Sequence, residues 1–479
     1  MPDELGGTEI LTLSQDFPPV PTEDWEAAIR KDLKGADYEK RLVWRTDEGI
    51  AVRPYYRSES LAGLEGQTGS VPGSFPFVRG NGKAWTIDQD AMPAHDAIRA
   101  DLVHEAGAHA VEELAIALAA GVERLAQTDV ARTVDDAARD IQFVFAVGSN
   151  YFFEIAKLRA ARLLWAQAVA AFNPSDRGSC RMHLRVHTSR LNKSVCDPYT
   201  NLLRVTTEAM SAAIGGCDAL MVEPFGFDPH LAFNLQLILA EEAHLTAVAD
   251  PAGGSYYVEA LTDALAREAW KLFQKIEGEG GYSEALASGF LAGLIAKTRA
   301  AREKAVSSRR RTLVGVNNYP NLSEGDLESP PTFAEAAAPF PPFRLAEPFE
   351  RIRERTTRHA RRTGRVPVVL LLKRGDLKMR MARAQFALNF FGCAGFEITE
   401  SEDDGGMNAD LVVLCSSDPE YLAFAHDVCL RATSPVIVAG NPKDQTDALN
   451  AAGVQGFVHV MSDAVDTLTH WQNQLGMED

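Results

Sequence analysis

Little in this chain is of the kind that specifies a disulfide scaffold, a metal cluster, a membrane span or a nucleic-acid surface. Its 479 residues include only six cysteines, Cys180, Cys196, Cys217, Cys393, Cys415 and Cys429. None forms a CxxC pair, so neither a zinc site nor a disulfide framework is indicated. Their apolar neighbours mark them as reduced core thiols. His104 and His109 are five positions apart, a spacing that does not put two ligands on one helix face, and no metal site is expected. No apolar run reaches the ~18 residues a bilayer-spanning helix requires, and no signal peptide opens the chain, which sets the expectation of a cytoplasmic protein. Net positive charge is also missing. Lys and Arg number 48 against 66 Asp and Glu, a balance of −18, which is the wrong sign for nucleic acid or an acidic membrane as partner.

What is present is the composition of an ordinary soluble globular protein, 46% hydrophobic and 24% charged, long enough for two or three domains. Residues 1–65 read as an arm. Thr22, Asp24 and Glu26 open a helix, and LVWRT with IAVRPYY alternate like a hairpin. Such an arm has no core of its own and is expected to contact a partner. Residues 66–84, rich in Gly, Pro and Ser, read as loop. Over 66–304 short apolar strands alternate with long helices. The strand candidates are Ala100 to Val103, Ile141 to Val147, Arg181 to His187, Ala219 to Val222 and Thr246 to Ala249. This rhythm predicts α/β architecture with a parallel sheet, open or closed into a barrel. With five units in place of eight, any barrel is partial or shortened, and its edges need covering.

Residues 305–366 read as a linker, with a proline-rich stretch and the basic helical run ERIRERTTRHARR taken as a solvated face. From 367 to 479, VPVVLLL, FEIT, DLVVLCSS, PVIVAG and GFVHV recur with helices between them. That is the pattern of a flavodoxin-like, doubly wound domain. The loops at Gly375 to Lys378, Ser416 to Asp418 and Gly440 to Pro442 are then expected to share one rim.

Taken together, PGSFPFVRG with WTI, HEAGAHAVEELAIALA, SNYFFEIAKLRAARLLWA, DPYTNLLRV and DPAGGSYYVEALTD resemble the adenosylcobalamin-dependent acyl-CoA mutases, and within them the small-subunit branch of methylmalonyl-CoA mutase. The resemblance implies a TIM (β/α) barrel that receives a CoA thioester, followed by a flavodoxin-like, cobalamin-binding-type domain. It also implies where the reactive residues belong. Cobalamin-binding members carry D-x-H-x-x-G, whose histidine ligates cobalt. The matching places here are Asp376, Lys378 and Met381. An ammonium has three donors and no lone pair, so Lys378 cannot replace an imidazole, and Met381 adds bulk where glycine lets the backbone approach a ligand. In the barrel, catalytic members place a Tyr-His pair before E-A-G-A. Asp101 and Leu102 stand there, and leucine donates nothing to a thioester carbonyl.

The family's barrel also contains strands between the WTI segment and E-A-G-A, yet Trp85 and Leu102 are only 17 positions apart. By resemblance, His187 holds the place of a CoA-contacting histidine, and Arg159 and Arg162 lie on the helix that reaches CoA phosphates. Their bland alternative is as strand-end and exposed helix-face groups. The chemistry therefore implied is a non-catalytic small subunit with no cofactor of its own, partnered by a methylmalonyl-CoA mutase large subunit that holds the adenosylcobalamin. The alternatives are a truncated paralogue binding acyl-CoA or serving regulation, and an active mutase. DPAGG reads as a structural Gly-Gly loop.

Overall fold

A computed structural model describes residues 19–88, 97–127, 132–325, 327, 339–403 and 408–477. The chain divides into two compact units, Met1–Tyr56 and Arg57–Asp479. In the first, the helix Thr22–Asp32 has Pro21 rather than Thr22 at its cap, with Glu23 and Asp24 in the first turn and Arg30 and Lys31 in the last. Those charges complement the helix dipole. The helix buries none of its residues, and Trp25 stacks on Tyr55 at 5.3 Å between ring centroids. The expected hairpin is present as β1 (Trp44–Arg45) antiparallel to β2 (Ala51–Val52).

The second unit holds two parallel sheets. The first comprises β3 (Thr86–Ile87), β4 (Ile98–Arg99), β5 (Gln142–Val147), β6 (His183–Thr188) and β7 (Ala219–Met221), in the order β3-β7-β6-β5-β4. Strands β3 and β4 follow one another in the chain yet occupy opposite edges, each only two residues long. Short edges are one way to limit unwanted pairing. Helices Ala110–Ala126, Tyr151–Ala171 and Tyr256–Gly278 pack together over the face that carries Phe143 and Phe145, both fully buried. Phe143 meets Trp165 edge-on at 4.8 Å. Gly121 is required there, because a Cβ would lie 2.6 Å from the Trp165 ring.

Two strand expectations fail. Ala100–Glu105 is a helix, with the strand confined to Ile98–Arg99. Residues 246–249 form turns and bends. Both segments are only four residues long, too short for periodicity to separate strand from helix or loop, and the first contains the charged Asp101.

The second sheet comprises β8 (Val368–Lys373), β9 (Glu397–Ser401), β10 (Leu411–Cys415), β11 (Val436–Ala439) and β12 (Gly456–Val458), ordered β12-β11-β10-β8-β9. All five expected strands are present, every neighbouring pair is parallel, and both faces are covered. Val369, Leu371, Leu411, Val413 and Ile437 enter one core, while Leu370, Leu372, Val412, Leu414 and Val438 enter the other. This alternation explains the continuous hydrophobic sequence of β8, β10 and β11. Each fully buried Leu or Val side chain contributes roughly 1.5–3 kcal/mol.

The first of those cores also takes Leu191, Cys196, Val306, Phe343, Leu345 and Phe349, so residues from the loop after β6 and from 305–366 pack into it. The basic run is not simply a solvated face. On helix Glu347–Thr363, Arg353 and Arg355 are buried beside Phe349 and Ile352. Arg353 pairs with Glu324, and Arg355 donates to Asn473 Oδ1 and the Met477 carbonyl at 2.6 Å. Arg351 and Arg358 keep the exposure expected of the run. Residues 328–338 of the proline-rich stretch lie outside the described residues.

Candidate functional site

The carboxyl ends of β4, β6 and β7 carry a buried charged cluster. Asp101 is only 2% exposed. Arg99 grips it, Nε to Oδ1 at 2.9 Å and Nη2 to Oδ2 at 2.6 Å, and His187 Nε2 lies 3.2 Å from Oδ2. The other ring nitrogen of His187 lies 3.1 Å from the Thr188 carbonyl, an arrangement in which both nitrogens donate. Burial pushes His187 down, but Glu223 and then Asp101 outweigh it and lift the imidazole to about 9. Asp101 is pushed up by burial and pulled down further by His187 and Arg99, to about 2. His187 is therefore a buried imidazolium locked in an ion pair rather than a strand-end surface group. Leu102, half-buried, supplies no donor beside it.

Glu105 faces the same cluster. Its Oε1 accepts from the Arg190 amide at 2.8 Å, its Oε2 is buried without a partner, and burial raises its carboxyl to about 7. Arg190 is itself held by Glu223, Nη2 to Oε1 at 2.6 Å.

A second chain of contacts was not foreseen. His104 Nε2 is 2.9 Å from Ser189 Oγ, and its Nδ1 is 3.2 Å from Glu113 Oε2. Burial, reinforced by Lys157, keeps His104 neutral. This order of groups resembles a nucleophile, base and orienting acid. Ser189, however, is 1% exposed, and its hydroxyl also accepts from the Leu191 amide. Glu113 is occupied by Lys157 at 2.7 Å, which also pairs with Glu154 at 2.6 Å and donates to the Ala146 carbonyl. These contacts build a rigid floor under the strand ends. One signal was available in sequence: Glu154 and Lys157 stand three apart in a helix of mostly apolar residues, a pair that must be satisfied internally.

Arg159 and Arg162 do not lie on an exposed helix face, as the bland alternative for them had it. Both are buried. Arg159 pairs with Asp250 and, at 2.6 Å, with Glu259. Glu259 also accepts from Gln67 and from the Gly254 amide, and Arg79 holds Asp250 from the other side at 2.8 Å. Arg162 donates to the Met182 and Gly216 carbonyls and lies 3.1 Å from Asp218. The DPAGG turn is thus tied down by two arginines before Ser255 caps helix Tyr256–Gly278.

At the second sheet, Asp376 caps helix Leu377–Gly392 by accepting from the Met379 amide at 2.8 Å. Lys378 is exposed and Met381 is 46% exposed. The turn offers a carboxylate committed to its own helix, an ammonium and a thioether, and no imidazole. This donor set does not fit the cobalt of a cobalamin. Among the described residues, no group of three or more His, Cys, Asp or Glu is arranged to hold a metal ion.

The methylmalonyl-CoA mutase family model matches residues 84–337. A methylmalonyl-CoA mutase small subunit from Porphyromonas gingivalis is 32% identical over 616 positions, covering 97% of this chain and 99% of that protein. One from Streptomyces virginiae is 36% identical, covering 89% of this chain and 71% of the relative. A methylmalonyl-CoA mutase from Cereibacter sphaeroides is 41% identical over 50% of this chain and 35% of its own length. An alignment of 616 positions against a chain of 479 leaves at least 137 positions of the first relative without a counterpart. The chain belongs to the methylmalonyl-CoA mutase family.

Proposed function

We propose that this chain is the small, non-catalytic subunit of a heterodimeric methylmalonyl-CoA mutase. The isomerisation of methylmalonyl-CoA and succinyl-CoA, and the adenosylcobalamin that initiates it, reside in a separate large subunit. The observation that carries this reading is double. Where thioester activation needs a donor the chain has Leu102 beside an Asp101 already spent on Arg99 and His187. Where cobalt needs an imidazole it has an exposed Lys378. Similarity to relatives named small subunits over nearly the whole chain supports it.

The sheet orders support the finer architecture. In a closed (β/α) barrel the first and last strands are neighbours, as β3 and β7 are here. Sequence neighbours β3 and β4 are separated by the whole sheet, which is where strands would be missing from a shortened TIM barrel spanning 66–304. The order 2-1-3-4-5 of the second sheet supports a flavodoxin-like domain over 367–479. Residues 1–65 serve as the arm toward the large subunit, and 305–366 as the connector. No helix among the described residues is long and apolar enough to cross a membrane, in keeping with a cytoplasmic complex.

Co-expression with an intact large subunit, followed by size-exclusion chromatography, tests the assignment. A stable heterodimer burying above about 1,000 Å² is expected. Two chains eluting separately at micromolar concentration contradict it. The missing alignment positions favour a second reading, a truncated paralogue that binds acyl-CoA or regulates. It requires a CoA site, and Arg159, Arg162 and His187 are each already engaged by internal partners. Calorimetric titration with CoA decides between the two.

A further inference from the structure

Open parallel α/β sheets take ligands at the carboxyl ends of the strands where the strand order reverses. In the second sheet that point lies between β8 and β10, neighbours in space but separated in sequence by β9. The loops that follow these two strands, at Gly375 and at Ser416, therefore frame the crevice a ligand would enter.

A side chain of the protein already stands there. Glu420 Oε2 accepts from the Asp376 amide at 3.1 Å, from Ser416 Oγ at 2.8 Å, from the Ser417 amide at 3.3 Å and from the Ser417 hydroxyl. Gly375 has φ +83°, and a Cβ built on it would fall on the Glu420 carboxylate. The backbone and hydroxyl donors that a ligand would use at this turn are thus spent on an internal anion. The Ser417 hydroxyl, with the Asp376 amide and the Ser416 hydroxyl, holds that carboxyl at about 2, so it is charged throughout the neutral range.

The segment bearing Glu420 is anchored on several sides. Tyr421, fully buried, donates to the Ala439 carbonyl at 2.6 Å and accepts from the Ser416 amide at 3.1 Å. Gln445 donates to the Asp418 carbonyl at 3.0 Å, and Arg383 pairs with Asp418 at 3.1 Å. A carboxylate so supported costs a ligand its hydrogen bonds, its space and, for an anionic ligand, a like-charge repulsion.

We propose that Glu420 is an internal plug that closes the ligand crevice of the carboxy-terminal sheet, so that this chain excludes a cofactor twice, once by Lys378 and Met381 and once by the Glu420 carboxylate. The inference rests on the reading of the chain as a subunit without its own cofactor, and it names the residue that blocks the site.

The experiment compares hydroxocobalamin retention on gel filtration, read by corrin absorbance, for three full-length proteins of verified circular dichroism. These are the wild type, Lys378→His with Met381→Gly, and that pair combined with Glu420→Ala. The double variant, which restores the ligand residues under an intact plug, is expected to bind at least about tenfold more weakly than the triple variant. Equal retention by the double and triple variants, or none by a folded triple variant, overturns the plug. Retention by the wild type overturns instead the reading that the chain lacks its own cofactor.

Discussion

Replacing Arg159 by methionine discriminates most sharply between a structural and a phosphate-binding role for this arginine. In the structure its guanidinium is buried between Asp250 and Glu259, whose side chains are 3% and 0% exposed. Methionine keeps most of the volume and removes the charge. Asp250 retains Arg79, and Glu259 retains Gln67 and the Gly254 amide, but two buried carboxylates lose their shared cation. Breaking a buried pair by deleting one partner costs about 3–5 kcal/mol. For a domain of some 200 residues, ~4 kcal/mol lowers the melting midpoint by on the order of 10 °C. Urea unfolding followed by far-UV circular dichroism measures the loss, and the same samples titrated with CoA test for ligand contact. A variant within about 0.5 kcal/mol of wild type, or one whose stability is intact while CoA affinity falls, would refute the structural assignment.

Two further predictions concern the cluster at the strand ends. Glu105 has its folded carboxyl raised to about 7 from 4.5. Its protonated form therefore favours the fold, and stability is lost as pH rises from about 4.5 through 7, by up to roughly 3 kcal/mol at 1.36 kcal/mol per pH unit. Glu105→Gln should flatten urea midpoints across that window, and an unchanged slope would exclude Glu105 as its source. His187 is raised from 6.5 to about 9, so its contribution is complete below about 6.5 and disappears as pH climbs to 9. His187→Gln should lower stability at pH 6 and abolish the decline between pH 6.5 and 9, with nuclear magnetic resonance of the imidazole reporting a midpoint near 9 in the wild type.

The repeating elements were legible in sequence because burial on both faces writes itself as unbroken apolar runs. VVLLL, LVVLC and VIVA each proved to be a strand. The short segments at Ala100 and Thr246 were misread because four residues are too few for periodicity to tell a helix, a strand or a turn apart. What stayed hidden in the site was pairing across distance. Arg159 and Glu259 are 100 residues apart, His104 and Ser189 are 85 apart, and Asp376 and Glu420 are 44 apart. An arginine on a helix looks solvent-facing until the carboxylates that neutralise it are located, and only the fold locates them.

The central claim is that the reactive groups of this chain have been exchanged for inert ones and that the chemistry belongs to a partner. Isomerase turnover with adenosylcobalamin and methylmalonyl-CoA, assayed for the isolated chain and then after addition of an intact large subunit, tests it most directly. The account predicts no turnover and no corrin retained by the chain alone, with activity and a stable complex once both subunits are present. Turnover by the purified chain in isolation would contradict it.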